Sequence, residues 1–155
     1  MFLGHRPKYN YVVRQTVISS FIVLAAAWTL TSCSVGSTSP SNSAVYSQTD
    51  VRIGTGALAA TGRTLAVNYT GWLYDASKAD RKGLVFDSNL EKTPFSFALG
   101  AGQVIQGWDQ GVAGMQVGGI RQLIVPPSLA YGAKRYGPIP ANATLLFEIE
   151  LLDAQ

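Results

Sequence analysis

Hydrophobic and polar residues alternate over several stretches of the chain from residue 50 onward. The longest stretches, 64–74 and 144–152, are rich in β-branched and aromatic residues, so each predicts a strand. Gly71 interrupts the first of them and indicates a bulge or a close approach of another segment. Shorter runs predict strands or strand pieces at 50–53, 84–87, 94–99 and 120–125.

A different period marks residues 104–111. Ile105, Trp108 and Val112 follow one another at spacings of three and four, which places them on one face of a helix. The remaining segments predict loops at 75–83 and 132–141 and a short helical turn at 128–131. Many strands and a single helix predict an antiparallel α+β fold.

The first 32 residues predict an export signal. A basic start with Arg6, Lys8 and Arg14 precedes the apolar stretch 16–30, which is short for a membrane-spanning helix of about 20 residues. The stretch ends in Leu-Thr-Ser-Cys, which resembles the lipobox of bacterial lipoproteins. That resemblance implies cleavage before Cys33, a lipid on Cys33 and anchorage in the bacterial cell envelope, and Ser34 favours the outer membrane facing the periplasm. An ordinary signal peptide or an uncleaved anchor helix remain the alternatives.

The composition of the remaining residues predicts a tether followed by a single domain. Residues 33–48 have a Ser- and Thr-rich composition without charges and predict a flexible tether, and residues 49–155 have the length of one small domain. The signal holds three of the twelve Lys and Arg, which leaves nine against nine Asp and Glu. A formally neutral chain without a basic run predicts no nucleic-acid partner.

Several kinds of catalytic chemistry are excluded by residue type. His5 is the only histidine and Cys33 the only cysteine, and both precede the predicted domain. The domain therefore has no Ser-His or Cys-His pair and no His/Cys metal cluster. The glycines around residues 100–107 fit neither the dinucleotide nor the P-loop spacing, so we expect no cofactor and no metal.

Aromatic residues suggest a binding function instead. Trp108 on the inward helix face would form a flat apolar floor, and the neighbouring segments supply possible walls. Such a pocket suits a compact, weakly polar group, and the proline ring is the obvious candidate. The alternative is that these aromatics are core residues only. The possible wall residues are Tyr69, Phe86, Phe95, Tyr131 and Phe147.

The order of the motifs from about residue 49 to 153 resembles FKBP-type peptidyl-prolyl isomerases. That family implies a twisted antiparallel β-sheet of five or six strands wrapped around one short α-helix, and isomerisation of X-Pro bonds without a cofactor. The motifs are Tyr-Thr-Gly-Trp-Leu from Tyr69, Phe-Asp-Ser from Phe86, Pro-Phe-Ser-Phe from Pro94, Leu-Gly from Leu99, Val-Ile-Gln-Gly-Trp from Val104, Gly-Met-Gln-Val-Gly from Gly114, Pro-Ser-Leu-Ala-Tyr-Gly from Pro127 and Ala-Thr-Leu-Leu-Phe-Glu-Ile-Glu-Leu from Ala143.

The resemblance also assigns roles to individual residues. It makes Trp108 the pocket floor and Asp87 a polar residue at the rim. It also implies that the Tyr131 hydroxyl and the Ile105 N–H donate hydrogen bonds to carbonyls of the bound peptide. The residues it implies for catalysis are Tyr69, Phe86, Asp87, Tyr131 and Phe147. Those it implies for substrate binding are Phe95, Val104, Ile105, Trp108 and Ile139.

Three features depart from the family pattern. The segment 75–85 is longer than in minimal members, and the segment 89–94 lacks the arginine often found beside the aspartate, for which Lys92 is the available substitute. The loop at 134–139 is shorter and places Tyr136 over the pocket. We therefore expect substrate preference to differ more than chemistry.

The resemblance implies a rotamase that assists protein folding in the envelope. Its expected partners are proline-containing peptides, unfolded protein clients, macrolide FKBP inhibitors and, through Cys33, the membrane, and we expect a monomer. The alternative function is a chaperone or adaptor that binds proline segments with little turnover. A purely structural lipoprotein would need no pocket.

Overall fold

The computed structural model describes residues 44–155. The predicted signal, the lipidation site Cys33 and most of the predicted tether lie outside these residues. None of the helices formed within 44–155 has the length and apolar character needed to cross a membrane.

Six antiparallel strands form one sheet, with the order β1-β5-β6-β2-β3 and with β4 paired to β2 beside β3. The predicted α+β class and the predicted strand count are confirmed. The strands are β1 Ser47–Arg52, β2 Thr64–Tyr74, β3 Lys82–Ser88, β4 Phe95–Ala98, β5 Ile120–Val125 and β6 Leu145–Ala154.

The centre of the sheet is formed by the two longest strands, β2 and β6, which pair from Leu65↔Ala154 to Leu73↔Leu145. Their inward side chains alternate with outward ones, as the sequence pattern predicts. The core therefore lies on one face of these strands, and the helix covers it. Its fully buried members include Leu65, Val67, Val112, Leu123, Val125, Leu145, Ile149 and Leu151.

The single helix, α1, spans Gln106–Gly111 and lies close against β5. Two glycines permit this approach, because a Cβ at Gly107 would lie 2.4 Å from a Val125 methyl and one at Gly111 would lie 2.6 Å from a Leu123 methyl. The buried guanidinium of Arg121 donates to the Gly111 carbonyl at 2.8 Å, which satisfies an acceptor at the helix end. The helix is thus fixed to the sheet along its whole length.

The start of the domain differs from the prediction. The first strand begins at Ser47 rather than at residue 50, since Ser47 and Gln48 already pair with Ile124 and Leu123 of β5. Tyr46 packs against the core and donates its hydroxyl to the Gly107 carbonyl at 3.1 Å. Residues 46–48 therefore belong to the domain and not to the tether, because their backbone and side-chain contacts order them.

The two helical predictions also need correction. The predicted helix 104–111 begins at Gln106, because Ile105 has extended backbone angles with a ψ of 149°. The helical turn predicted at 128–131 is a 3-10 turn at Pro127–Leu129. Its first residue is proline, whose fixed φ suits the start of a helical turn.

Candidate active site

One cleft of about 390 Å³ lies where α1 meets the sheet and the loops around residues 102 and 131. Five aromatic rings from β2, β3, β4, α1 and β6 contribute to its wall, and Asp87 is its only charged lining residue among residues 44–155. The lining residues are Tyr69, Phe86, Asp87, Phe95, Gly102, Gln103, Val104, Ile105, Trp108, Tyr131, Tyr136 and Phe147.

Trp108 forms the floor of the cleft. Its side chain is 5% exposed, and three rings meet it edge to face. The distances between centroids and the angles between planes are 5.1 Å and 82° for Tyr69, 5.3 Å and 86° for Phe147, and 6.3 Å and 76° for Phe95. These geometries are favourable for aromatic pairs and hold the indole in one orientation. The buried indole N–H has no acceptor within the described part of the chain. A buried donor of this kind costs free energy unless it finds an acceptor.

The walls continue this perpendicular packing. Phe86 meets Phe147 at 5.6 Å and 89°, and Phe95 meets Tyr69 at 6.1 Å and 72°. Phe95 is 40% exposed, so its outer edge faces solvent at the mouth of the cleft. The rings thus surround an apolar space that is open on one side.

A bulge in β3 explains how neighbouring residues both reach the cleft. Gly71 pairs with Asp87 whereas Trp72 pairs with Val85, so Phe86 is an extra residue without a partner on β2. The predicted irregularity at Gly71 is therefore confirmed. A Cβ at Gly71 would lie 2.6 Å from Phe86 Cζ and 3.0 Å from Phe147 Cε1, so the glycine is also needed for space. In a regular strand successive side chains point to opposite faces, so either Phe86 or Asp87 would point away from the cleft.

Asp87 is held by a tyrosine instead of a cation. The Tyr69 hydroxyl donates to Asp87 Oδ2 at 2.5 Å. Burial first, and then this hydrogen bond, raise the pKa of the Tyr69 hydroxyl well above its usual value. Lys92 donates to the Ser88 carbonyl at 3.0 Å, so it does not replace the missing arginine beside Asp87. The Ser88 carbonyl, four residues away along the chain, takes the Lys92 ammonium group in place of the Asp87 carboxylate.

Tyr131 also lines the cleft and stacks on Tyr136, with centroids 4.5 Å apart and planes at 7°. Burial, followed by the proximity of Tyr136 and of Asp87, raises the pKa of the Tyr131 hydroxyl. Tyr69 and Tyr131 therefore stay protonated at neutral pH, and each hydroxyl can donate one hydrogen bond, which Tyr69 gives to Asp87. Tyr136 is 61% exposed and extends the aromatic surface outward.

The loop before α1 positions the third side of the cleft. The Asp109 carboxylate accepts the Gly100 N–H at 3.0 Å and the Gly102 N–H at 3.2 Å, and Gln103 Oε1 accepts the Ala98 N–H at 2.9 Å. These bonds tie the loop to the helix on one side and to β4 on the other. None of the hydrogen bonds formed among residues 44–155 uses the Ile105 N–H.

The structure brings together nine of the ten residues that the sequence singled out. The exception is Ile139, which is 3% exposed in the core and does not line the cleft. Its backbone pairs with that of Tyr136 in a short antiparallel bridge. Gly102 and Gln103 were missed, and a glycine or glutamine in a loop gives no chemical signal of its own. The roles of the nine remain predictions.

No group of three or more His, Cys, Asp or Glu side chains within residues 44–155 could hold a metal ion.

Comparison with known proteins gives a consistent result. A model of FKBP-type peptidyl-prolyl cis-trans isomerases matches residues 56–152. FK506-binding protein 4 of Aspergillus fumigatus is 48% identical over 104 residues, 67% of this chain and 20% of that protein. FK506-binding protein 2B of Rhizopus delemar is 53% identical over 95 residues, 60% of this chain and 43% of that protein. The chain thus spans about a fifth of the length of the first of these relatives.

Two solved structures share the fold. The crystal structure of AtFKBP13 superimposes with a TM-score of 0.61 at 35% identity and covers 71% of this chain and 93% of that one. The crystal structure of FkpA from Escherichia coli gives 0.59 at 38% identity, with 71% and 48% covered. Fold, cleft and family model agree: the chain belongs to the FKBP-type peptidyl-prolyl cis-trans isomerase family.

Proposed function

We propose that this protein accelerates cis–trans isomerisation of X-Pro bonds in polypeptides by binding the proline ring in the aromatic cleft. The observation that carries the proposal is the Trp108 floor with perpendicular rings on two sides. The space above the floor accepts a small flat apolar group. The chemistry requires no nucleophile, metal or cofactor, because no covalent bond is made or broken.

The barrier to this rotation is loss of amide resonance and amounts to ~18–20 kcal/mol. A twisted amide carries less charge on its oxygen than a planar one. An apolar site that excludes water therefore favours the twisted amide relative to the planar ground state. An acceleration of about 10³-fold requires about 4 kcal/mol of differential stabilisation, which desolvation and orientation together can supply.

Two donors orient the peptide around the bound ring. Ile105 and Tyr131 both line the cleft, and the Ile105 N–H and the Tyr131 hydroxyl can each donate to a carbonyl of the flanking chain. With the ring packed in the cleft and the chain held beside it, rotation is restricted to the X-Pro bond. Asp87, fixed by Tyr69, places a negative charge at the rim near the amide.

The cellular setting is part of the same proposal. The sequence of residues 1–33 supports export, a lipid on Cys33 and a periplasm-facing position at the outer membrane, with unfolded envelope proteins as clients. Mass spectrometry of the membrane fraction tests this. A lipid-modified N-terminal Cys33 peptide is expected, and an unmodified peptide or an uncleaved signal would contradict it.

Activity is tested by isomerisation of a short X-Pro peptide by the purified full chain in detergent solution, with and without an FKBP-directed macrolide. Fast turnover that the macrolide blocks is expected. Macrolide binding without turnover would favour the proline-binding chaperone or adaptor. The absence of both macrolide binding and turnover would refute the cleft as a proline site.

A further inference from the structure

The two tyrosines of the cleft are held in different ways. The Tyr69 hydroxyl is fixed by its hydrogen bond to Asp87 Oδ2 at 2.5 Å. None of the hydrogen bonds formed among residues 44–155 uses the Tyr131 hydroxyl. The position of this hydroxyl therefore depends on how the Tyr131 ring is packed.

The Tyr131 ring packs partly on the apolar core and partly on Tyr136. The stack with Tyr136, with centroids 4.5 Å apart and planes at 7°, is its one ring contact within residues 44–155. The centroid distance exceeds the contact distance of about 3.5–4.0 Å between carbon atoms, so the two rings are offset. Offset stacking is the favourable parallel arrangement of aromatic rings, and it restricts the tilt of the Tyr131 ring.

Tyr136 is fixed although its side chain is exposed. The Tyr136 N–H donates to the Ile139 carbonyl at 3.0 Å, and the Ile139 N–H donates back to the Tyr136 carbonyl at 2.9 Å. Ile139 is 3% exposed and belongs to the core. Between them, Arg135 Nε donates to the Gly137 carbonyl at 3.3 Å, and Gly137 adopts the left-handed φ of 52°. The Tyr136 backbone is thus tied to a residue anchored in the core.

The ring of Tyr136 bears on the cleft more than on the stability of the fold. It lines the cleft and is 61% exposed. A side chain that buries so little apolar area contributes little to the free energy of unfolding. Removing the ring should therefore release Tyr131 without unfolding the domain.

We propose that Tyr136 is a positioning residue, whose ring holds the Tyr131 ring so that the Tyr131 hydroxyl points at a carbonyl of the bound peptide. Tyr136 acts through Tyr131 and needs no contact of its own with the peptide. The inference rests on the proposed isomerase function. Since a carbonyl is common to every peptide, the loop 134–139 should affect the rate for all X-Pro sequences alike.

A double-mutant cycle in the full chain tests the inference. The variants are Tyr136→Ala, Tyr131→Phe and the two combined, each assayed with a tetrapeptide containing X-Pro. Tyr136→Ala should lower kcat/KM by about fivefold, which is within the contribution of one aromatic pair. In the Tyr131→Phe background the same change should lower it by less than about twofold, because the hydroxyl is already absent. Losses that multiply would show that Tyr136 acts independently of that hydroxyl and would overturn the inference.

Two further readouts separate positioning from direct contact with the peptide. Tyr136→Phe keeps the ring and should recover most of the rate that Tyr136→Ala loses. Tetrapeptides with alanine or phenylalanine before proline should lose rate equally in Tyr136→Ala. A loss confined to the peptide with phenylalanine would make Tyr136 a substrate contact and would also overturn the inference.

Lys134→Ala is the matched control, since Lys134 is exposed in the same loop and does not line the cleft. It should keep kcat/KM, and a loss equal to that of Tyr136→Ala would show a general disturbance of the loop and contradict the role of the ring. Urea midpoints verify that the variants fold, and Tyr136→Leu replaces Tyr136→Ala if that variant does not. An unmodified chain without turnover would refute the proposed function and the inference with it, whereas multiplied losses in an active chain refute the inference alone.

Discussion

Replacing Gly71 with alanine adds one methyl group where β2 passes closest to the cleft. The new Cβ would lie 2.6 Å from Phe86 Cζ, 2.9 Å from Phe86 Cε2 and 3.0 Å from Phe147 Cε1. Ordinary contact begins near 3.4 Å. The Phe86 ring must therefore move by roughly 0.8 Å, and its perpendicular contact with Phe147 transmits part of that movement.

Overpacking of this kind costs about 1–3 kcal/mol of stability. The displaced rings also narrow the space for proline, so we expect the Kd for an X-Pro peptide and for the macrolide to rise by about tenfold. Urea unfolding measures the first effect. Isothermal titration and the tetrapeptide assay measure the second.

Gly56→Ala is the matched control. A Cβ at Gly56 would meet Val117 Cβ at 2.7 Å, a similar clash, and neither residue lines the cleft. This variant should lose comparable stability and keep the Kd. If Gly71→Ala loses stability but binds proline ligands as tightly as the unmodified chain, Phe86 is not a wall of the binding site.

Further predictions concern the other parts of the site. Trp108→Ala should lower the free energy of unfolding by about 3–5 kcal/mol and abolish turnover; retained turnover would remove Trp108 as the floor. Tyr131→Phe should keep its urea midpoint and lose about fivefold to tenfold in kcat/KM, and equal activity would remove the hydroxyl from its role. Deleting residues 1–43 should leave activity intact, whereas deletion through residue 48 should destabilise the domain because Tyr46 and the first β1 pairs are lost. The pKa values of the Tyr69 and Tyr131 hydroxyls are raised in the folded chain. Their contribution to the free energy of unfolding is therefore complete below the unfolded pKa of 10.0 and decreases as the pH rises above that value. The urea midpoint should accordingly decrease with pH above this value, and an unchanged midpoint would contradict the raised pKa values.

Sequence periodicity predicted those elements whose pattern is set by burial. Strands 64–74 and 120–125 occur with the predicted bounds, since each has a buried face and a polar or glycine-marked end. The first strand was misplaced because its six residues are all exposed, so no hydrophobic pattern marks it. Pairing with β5 and the Tyr46 hydrogen bond order that segment, and such long-range contacts leave no local signal.

The same distinction applies to the cleft. Its aromatic rings could be predicted because each carries a large apolar group at a recognisable place in the motifs. The partner of Asp87 could not, since Tyr69 is 18 residues away and reaches it only because the bulge at Phe86 turns the carboxylate toward the ring. The burial of Ile139 could not be predicted either, since its backbone bridge to Tyr136 lies in an irregular loop. The fine geometry of this site therefore depends on irregularities of the backbone, and Gly71, which permits one of them, is as important to the cleft as the rings themselves.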